Sequence, residues 1–360
     1  MPLVDWRELY AANQAEIERA GGVPNDLPSA FRAPDHATSP GRALRGRVSN
    51  EPGAWEEHTI TTAGRTRRAF VHAPAGVGSE TAVPLVCMLH GCTQDAATFA
   101  AATKMNEAAD RHGFVAVYPQ QERGENQQCC WNWFLPEHQA RGAGEPASIA
   151  AIIRQVAGTT SPWTIDTSRI FVAGVSAGAA MAAILAATYP DLFAAAAVHS
   201  GLAYRSATSL GDALTAMARG GADGARLGSA AYAAMGPHAR RVPSIVIHGQ
   251  DDRTVAPLNA HQALQQSMTA NRLAAPETCN FDIARPSVTR REEVDGGHAY
   301  DRSQWMDRRG GLTHELLTID GLGHAWSGGA AHGSFTDARG PDASEAIWRF
   351  FEATVHEPSG

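Results

Sequence analysis

Residues 169–181 of this chain read RIFVAGVSAGAAM, and this stretch decides the fold. β-Branched and aromatic residues lead into Gly-x-Ser-x-Gly, and an alanine-rich stretch follows directly. This order predicts a strand, a tight turn and a helix: the nucleophile elbow, which holds a serine in a strained backbone at the end of a strand. Gly174 and Gly178 would remove side chains that clash in such a turn. Because a five-residue pattern also arises by chance, the alternative is an ordinary Gly/Ser-rich turn that opens a helix.

The composition is that of a globular protein with a large core, since 44% of the 360 residues are hydrophobic and 19% are charged. The formal net charge of −7 argues against nucleic acid or an anionic membrane surface as a partner. No apolar run reaches the length of a bilayer span. Residues 1–10 lack the basic start and the unbroken apolar run of a signal peptide, so we expect a cytoplasmic protein.

The chain divides at about residue 54. Residues 1–54 are expected to form an N-terminal helix and an extended arm, because residues 1–20 carry apolar side chains at helical spacing and the rest is rich in Gly, Pro, Arg and Ser. The helix would either dock on the following domain or bind a partner such as a storage-granule surface. Residues 55–360 are expected to form the catalytic domain. The apolar face of the N-terminal helix would consist of Trp6, Leu9, Tyr10 and Ile17.

Strand and helix patterns alternate through the catalytic domain, which predicts an α/β fold with a doubly wound, mostly parallel sheet and helices on both faces. The predicted strands are 59–62 and 67–72 around a turn, then 84–89, 114–118, the elbow strand, 193–198, 244–248 and 313–319. The predicted helices are 96–111, 145–156, 179–189 and 342–354. Between them lie a long polar loop, 119–144, and two insertions without a readable pattern, 205–240 and 276–312, one of which could form a lid.

A serine nucleophile needs a base, and the base needs an acid that orients it. In the α/β-hydrolase order the acid and then a histidine follow the serine. Asp251 and Asp252 both come directly after a predicted strand, where catalytic groups of open sheets are placed. His324 lies on a glycine-flanked loop after the last predicted strand, a position that suits the base. His298, His314 and His332 compete with it but lack this combination of features.

The carbonyl that the serine attacks gains negative charge, so two backbone N–H groups should face it. One is expected from Ala177, the residue after the nucleophile. The other is expected from Cys92, in the loop His90-Gly91-Cys92-Thr93-Gln94 that follows an early strand. The alternative for this loop is a plain strand-to-helix turn.

Five motifs in matching order resemble the esterase family of type I poly(3-hydroxybutyrate) depolymerase catalytic domains, whose relatives are feruloyl and acetylxylan esterases. The motifs are LHGCTQ (89–94), CWNWF (130–134), the elbow, HGxxDxxV (248–255) and GHAWSGG (323–329). The resemblance covers roughly residues 55–355 and implies an α/β-hydrolase fold. It implies Ser176, Asp252 and His324 as the triad, which decides for Asp252 over Asp251, and Cys92 and Ala177 as the oxyanion donors.

The resemblance also implies a substrate class: short-chain poly(3-hydroxyalkanoate), or its oligomers, cleaved through an acyl-enzyme. The alternatives are a feruloyl or acetyl ester on a carbohydrate, or a non-catalytic granule-binding protein on a hydrolase scaffold. No cofactor is expected. No metal site is expected either, because the histidines are dispersed and no known ligand spacing occurs.

The long loop carries the segment Cys129–Phe134. Trp131 and Trp133 could line an apolar cleft with Asn132 as a hydrogen-bonding group, and Trp326 is a further candidate for substrate binding. The alternative is that the loop only packs onto the domain. The two motifs share cysteines in the resembling family, so we hypothesise a Cys92–Cys130 disulfide, although a reducing cytosol would disfavour it.

Overall fold

The computed structural model describes residues 55–62, 65–159, 161–279 and 282–355. The helix predicted in residues 1–20 and the arm that follows it lie outside the described residues. So do two residues of the turn predicted between the first two strands.

Most of the described strands join one sheet. The strands are β1 (Trp55–Thr62), β2 (Arg65–His72), β3 (Val83–Leu89), β4 (Val115–Pro119), β5 (Ile165–Val175), β6 (Ala195–His199), β7 (Ser244–Gly249), β8 (Val288–Glu293), β9 (Ala299–Met306), β10 (Leu312–Ile319), and the separate short pair β11 (Trp326–Ser327) and β12 (Thr336–Asp337). The order in the sheet is β1-β2-β4-β3-β5-β6-β7-β10-β9-β8. Neighbouring strands from β4 to β10 run parallel, and antiparallel pairs close both ends of the sheet. The mostly parallel sheet confirms the prediction.

Helices cover both faces of the sheet, and alternate strand residues point into the two cores. The helices are α1 (Ala96–Thr103), α2 (Met105–His112), α3 (Gly144–Val156), α4 (Ala177–Thr188), α5 (Leu210–Arg219), α6 (Gly224–Met235), α7 (Leu258–Ala274) and α8 (Ala343–Val355). In β3, Leu85 and Cys87 pack with α3 and α4, whereas Val86 and Met88 pack with α1, α2 and α8. Because both faces of the sheet are buried, the central strands are continuous apolar runs in the sequence.

Three segments differ from the sequence prediction. The helix predicted over 96–111 is two helices, because Lys104 between them takes a left-handed backbone (φ 55°) that an α-helix cannot contain. The insertion 205–240, for which no pattern was found in the sequence, folds into α5 and α6. Both helices contact α7, which was not predicted from the sequence. The other insertion contains β8 and β9, a hairpin that extends the sheet beyond β10.

The parallel strands leave the sheet at one edge, and the loops that follow them carry the predicted site. β3 leads to Cys92, β5 to Ser176, β7 to Asp252 and β10 to His324. Sites of open α/β sheets form at this carboxyl edge. Among the described residues, no helix is both long and apolar enough to cross a membrane.

Candidate active site

Ser176 sits at the turn between β5 and α4 with φ 55° and ψ −120°, a strained conformation for a residue with a side chain. Its amide N–H donates to the carbonyl oxygen of His199 at 3.0 Å, which ties the turn to the neighbouring strand β6. A Cβ atom at Gly174 would collide with the backbone of Gly178, and a Cβ at Gly178 would collide with the carbonyl oxygen of Leu89. Only glycine therefore fits at these two positions, and the elbow predicted from the sequence is present.

Asp252 and His324 are joined in the loops after β7 and β10. The Asp252 carboxylate is buried, and its Oδ1 accepts the amide N–H groups of Thr254 and Val255 at 2.9 and 2.8 Å. Its Oδ2 lies 2.8 Å from Nδ1 of His324, so that Nδ1 carries the proton and donates it. In the neutral ring, the other nitrogen, Nε2, therefore carries no proton and can accept one.

His324 and Ser176 line the same cleft. No direct hydrogen bond joins these two side chains among the described contacts. In enzymes without bound substrate, catalytic hydrogen bonds are often long and tighten only in the substrate complex. The arrangement supplies the components of a Ser-His-Asp relay, with the acid-base contact already formed.

The electrostatic environment keeps Asp252 ionised. Burial alone would raise the pKa of this carboxyl, but the charge of His324 and the hydrogen bonds from His248 and His324 together lower its pKa well below the usual range. His248, a buried residue that the sequence reasoning did not select, places Nε2 3.4 Å from Asp252 Oδ2. The same Nε2 lies 2.8 Å from the carbonyl oxygen of Val255. His248 therefore braces the loop that holds the acid.

The predicted oxyanion donors both line the cleft beside Ser176. Cys92 belongs to the loop after β3, and Ala177 is the first residue of α4. Neither backbone N–H makes a hydrogen bond among the described residues, which leaves both able to donate to a ligand in the cleft. A disulfide joins Cys92 to Cys130, so the hypothesised bridge is present and ties this loop to the segment that follows β4.

A mostly apolar cleft opens above Ser176. Besides Ser176 and His324, few side chains in its wall can form hydrogen bonds, Gln94 and Thr254 being the main ones. The remainder is apolar, and a charged substrate group would find no ion partner in this wall apart from His324. The larger apolar side chains are Trp133, Phe134, Leu202, Met217, Val255 and Phe335.

The four residues predicted to bind substrate have different positions. Trp133 lines the cleft as expected. The other three are buried and do not line it. Trp131 donates its indole N–H to the carbonyl oxygen of His90 at 3.1 Å, and Asn132 donates to Glu145. Trp326 stacks on His199 with ring centroids 4.8 Å apart. The polar groups or ring faces of these three residues hold the loops of the site together, and their role in substrate binding stays a prediction.

Several cleft residues could not be found from sequence motifs. Met217 belongs to α5, in the insertion 205–240 that had no readable pattern, and Leu202 lies in the loop between β6 and that insertion. Phe335 follows the GHAWSGG motif and has a positive φ of 54°, which is rare for an aromatic residue. Its carbonyl oxygen accepts the amide N–H of Trp326 at 2.7 Å. Only the tertiary structure brings these side chains to the wall.

Comparisons with solved structures show what this fold is. An acetyl xylan esterase from Aspergillus awamori matches 84% of this chain and 100% of its own with a TM-score of 0.66 at 22% identity. The feruloyl esterase module from Clostridium thermocellum matches 87% of this chain and 92% of its own with a TM-score of 0.52 at 12% identity. These likenesses confirm the predicted α/β-hydrolase fold, and at such identities they show the fold alone.

Curated relatives cover part of the chain. Poly(3-hydroxyalkanoate) depolymerase C of Paucimonas lemoignei is 41% identical over 263 residues, which are 71% of this chain and 57% of that protein. Feruloyl esterase B of Neurospora crassa is 32% identical over 38% of this chain and 44% of its own length. A probable acetylxylan esterase A of Neosartorya fischeri is 29% identical over 55% of this chain and 54% of its own. The chain thus spans about half the length of these relatives.

The family model described as Esterase PHB depolymerase matches residues 69–295, which contain Ser176, Asp252 and both loops joined by the disulfide. His324 lies beyond the matched residues, in the loop that contacts Asp252. The match covers more than half of the sequence. The chain therefore belongs to the Esterase PHB depolymerase family.

Proposed function

We propose that this protein is a serine esterase that hydrolyses short-chain poly(3-hydroxyalkanoate), such as polyhydroxybutyrate, or its oligomers. The observation that carries the proposal is the 2.8 Å contact between His324 and Asp252 in the cleft that also contains the strained Ser176. The apolar wall supports an aliphatic substrate, because a carbohydrate would present hydroxyl groups that this wall cannot satisfy. The 41% identity to a poly(3-hydroxyalkanoate) depolymerase supports the same class.

In the proposed mechanism, Ser176 Oγ attacks the ester carbonyl carbon while His324 Nε2 takes the hydroxyl proton. Asp252 orients the ring and stabilises its positive charge. The N–H groups of Cys92 and Ala177 donate to the oxyanion. His324 then returns the proton to the leaving alcohol, and the acyl group remains on Ser176. A water molecule, deprotonated by His324, attacks the carbonyl carbon of this acyl-enzyme. The bond to Ser176 Oγ breaks, His324 returns the proton to Oγ, and the acid leaves.

Substrate and nucleophile are tested together. We expect the wild type to release 3-hydroxybutyrate from amorphous polyhydroxybutyrate and to hydrolyse p-nitrophenyl butyrate. Ser176→Ala should lose at least about 10³-fold in kcat, because the acyl-enzyme cannot form. Ser229→Ala, a change of an exposed serine on α6, is the control and should leave kcat unchanged.

Two outcomes contradict the proposal in different ways. Activity that survives in Ser176→Ala would overturn the mechanism. Hydrolysis of methyl ferulate or acetylated xylan without release of 3-hydroxybutyrate would assign the chain to the carbohydrate-ester alternative. The granule surface as a partner and the cytoplasmic location stay predictions. Deletion of residues 1–54 followed by granule co-sedimentation tests the first of them.

A further inference from the structure

Glu145 is a fully buried carboxylate that the mechanism does not use. It lies in the first turn of α3 and has no exposed surface. Its Oε1 accepts Nε2 of Gln121 at 2.5 Å and Nδ2 of Asn132 at 2.6 Å, and its Oε2 accepts the Asn132 amide N–H at 2.8 Å. All three partners donate, so both carboxylate oxygens act as acceptors. Since burial raises the pKa of Glu145, keeping the carboxylate here costs stability, and such a group invites a functional explanation.

No cation touches Glu145 directly within hydrogen-bonding distance among the described residues. The nearest ring nitrogen, His138 Nδ1, is 3.7 Å from Oε2 and accepts the Glu145 amide N–H at 2.9 Å instead of donating to the carboxylate. The buried Arg67 contacts Gln121: its Nη1 donates to Gln121 Oε1 at 3.0 Å, while its Nη2 lies 3.3 Å from Oε2 of Glu125. The side chain of Gln121 is thereby fixed at both ends.

Gln121 connects the carboxylate to the loop that contains Cys92. The Gln121 amide N–H donates to His90 Nε2 at 3.1 Å, and its side-chain Nε2 also donates to the carbonyl oxygen of Cys130 at 3.0 Å. His90 Nδ1 in turn lies 2.8 Å from the carbonyl oxygen of Gly91. Because Nε2 of His90 accepts a hydrogen bond, Nδ1 carries the ring proton and donates a hydrogen bond to the Gly91 carbonyl oxygen. This chain of bonds ends one residue before Cys92.

Asn132 connects the same carboxylate to the cleft wall. The residues on either side of Asn132 have different contacts. Trp131 donates its indole N–H to the carbonyl oxygen of His90, whereas Cys130 and Trp133 line the cleft. Cys130 is also bonded to Cys92. The position of Asn132 therefore sets both the wall at Trp133 and, through residues 130 and 131, the loop at Cys92.

We propose that Glu145 is the positioning residue of the oxyanion site, which fixes the Cys92 N–H and the Trp133 wall through Gln121 and Asn132. The inference rests on the proposed esterase function. An oxyanion donor acts only if it stands where charge develops in the transition state. Displacement of the Cys92 N–H should therefore lower kcat, while binding of a small uncharged ester, and hence KM, changes little.

The test replaces Glu145 by glutamine, which keeps the shape but turns one acceptor into a donor that faces Gln121 or Asn132. Active sites are counted by complete labelling with a fluorophosphonate, so that misfolded protein does not enter kcat. We expect kcat per labelled site on p-nitrophenyl butyrate to fall roughly 10- to 100-fold. KM should change less than about 3-fold, and the Ki of a trifluoromethyl ketone should rise in parallel with the fall in kcat.

Glu315→Gln is the matched control. Glu315 is also a buried carboxyl with a raised pKa, caused by burial, and it also accepts a glutamine Nε2, that of Gln304 at 2.7 Å. It lies on β10 and does not line the cleft. A similar loss of stability is expected in this variant, with kcat per labelled site unchanged. An equal fall of kcat in both variants would reduce Glu145 to a general structural role and overturn the proposal.

Wild-type kcat and Ki in Glu145→Gln would also overturn it. If Glu145→Gln does not fold, Asn132→Ala carries the test, because it removes one donor and leaves the carboxylate. A several-fold fall in its kcat at constant KM supports the proposal, and wild-type values contradict it. A wild-type protein that neither reacts with the fluorophosphonate nor turns over esters would instead contradict the proposed function.

Discussion

Asp251 and Asp252 are neighbours in sequence, yet their surroundings differ. Asp252 is 3% exposed and contacts His324, whereas Asp251 is exposed and only its backbone N–H is held, by the carbonyl oxygen of Leu322. From their positions in the sequence alone, either aspartate could be the acid of the triad. The family resemblance implied that it is Asp252. The physical difference is burial, which strengthens a carboxylate–imidazole contact by excluding water.

This pair of aspartates gives a matched test at the scale of the residue. Asp252→Asn should lower kcat on p-nitrophenyl butyrate by about 10³-fold or more, because the amide no longer stabilises the charged imidazole or its tautomer. Asp251→Asn should leave kcat within about 2-fold of wild type, since the exposed carboxylate is screened by water. Equal losses in the two variants would contradict the assignment of the acid.

At the scale of the element, the short pair β11–β12 brings the loop after His324 back over the cleft. Trp326 pairs with Thr336, and Phe335, just before β12, enters the wall with its strained backbone. Gln94 Nε2 donates to the carbonyl oxygen of Ser334 at 3.1 Å, which fixes this turn from the other side of the cleft. Backbone strain of this kind persists where the surrounding structure holds it, often at ligand sites.

The variant Phe335→Gly distinguishes the effect of the positive φ at this position on stability from the effect of the aromatic ring on substrate selection. Glycine tolerates a positive φ, so the free energy of unfolding should stay within about 1 kcal/mol of wild type. The loss of the ring should raise the ratio of kcat/KM for p-nitrophenyl octanoate over the butyrate, because the wall recedes. Lys104→Gly, which relieves a similar φ of 55° outside the cleft, is the control and should leave this ratio unchanged. An unchanged ratio in Phe335→Gly would contradict a role in chain-length selection.

At the scale of the whole molecule, buried neutral histidines link stability to pH. Burial lowers the pKa of His199 to about 3, with the charges of His248 and His324 as further causes, and burial lowers the pKa of His314 to about 3 as well. Burial also lowers the pKa of His90 and of His261. Unfolding returns each histidine to about 6.5, where it takes up a proton. The stability that these groups contribute is therefore complete above pH 6.5 and is lost as the pH falls from there towards 3.

Between pH 7.5 and pH 5, His199 and His314 should each lower the free energy of unfolding in urea by about 2 kcal/mol. The buried Glu145 and Glu315, whose pKa values are raised, act in the opposite direction, because the folded state takes up their protons first. This window lies above the usual pKa of aspartate, so Asp252 and Asp337, whose pKa values are lowered in the folded state, change the free energy of unfolding only at lower pH. His314→Gln should reduce the pH dependence by about 2 kcal/mol, whatever its stability at pH 7.5. A variant with the full wild-type pH dependence would contradict the linkage.

The disulfide bears on the compartment in which the molecule works. A Cys92–Cys130 bridge is more usual in an oxidising environment, which weighs against the cytoplasmic prediction. The remaining described cysteines, Cys87, Cys129 and Cys279, are buried thiols. Burial raises the pKa of all three, as expected for unreactive core groups.

The sequence by itself determined the elements whose signal is local. Apolar runs mark the central strands because both faces of a parallel sheet are buried. The elbow could be predicted because only glycine fits at positions 174 and 178, where a Cβ atom would collide with nearby backbone. The order of the loops at the carboxyl edge follows from the alternation of strands and helices. The candidate triad, the oxyanion pair and the disulfide could therefore be predicted from motifs and resemblance.

Only the tertiary structure decided which side chains face the cleft. Trp131 and Trp133 are two residues apart in one motif, yet Trp131 bonds to His90 while Trp133 lines the wall. Leu202, Met217 and Phe335 arrive from distant segments without a shared pattern. Glu145 appears in sequence as an ordinary helix-start acid, and its role depends on Gln121 and Asn132, 24 and 13 residues away. Such roles arise from packing between segments, since a partner that comes from elsewhere in the chain leaves no local trace in the sequence.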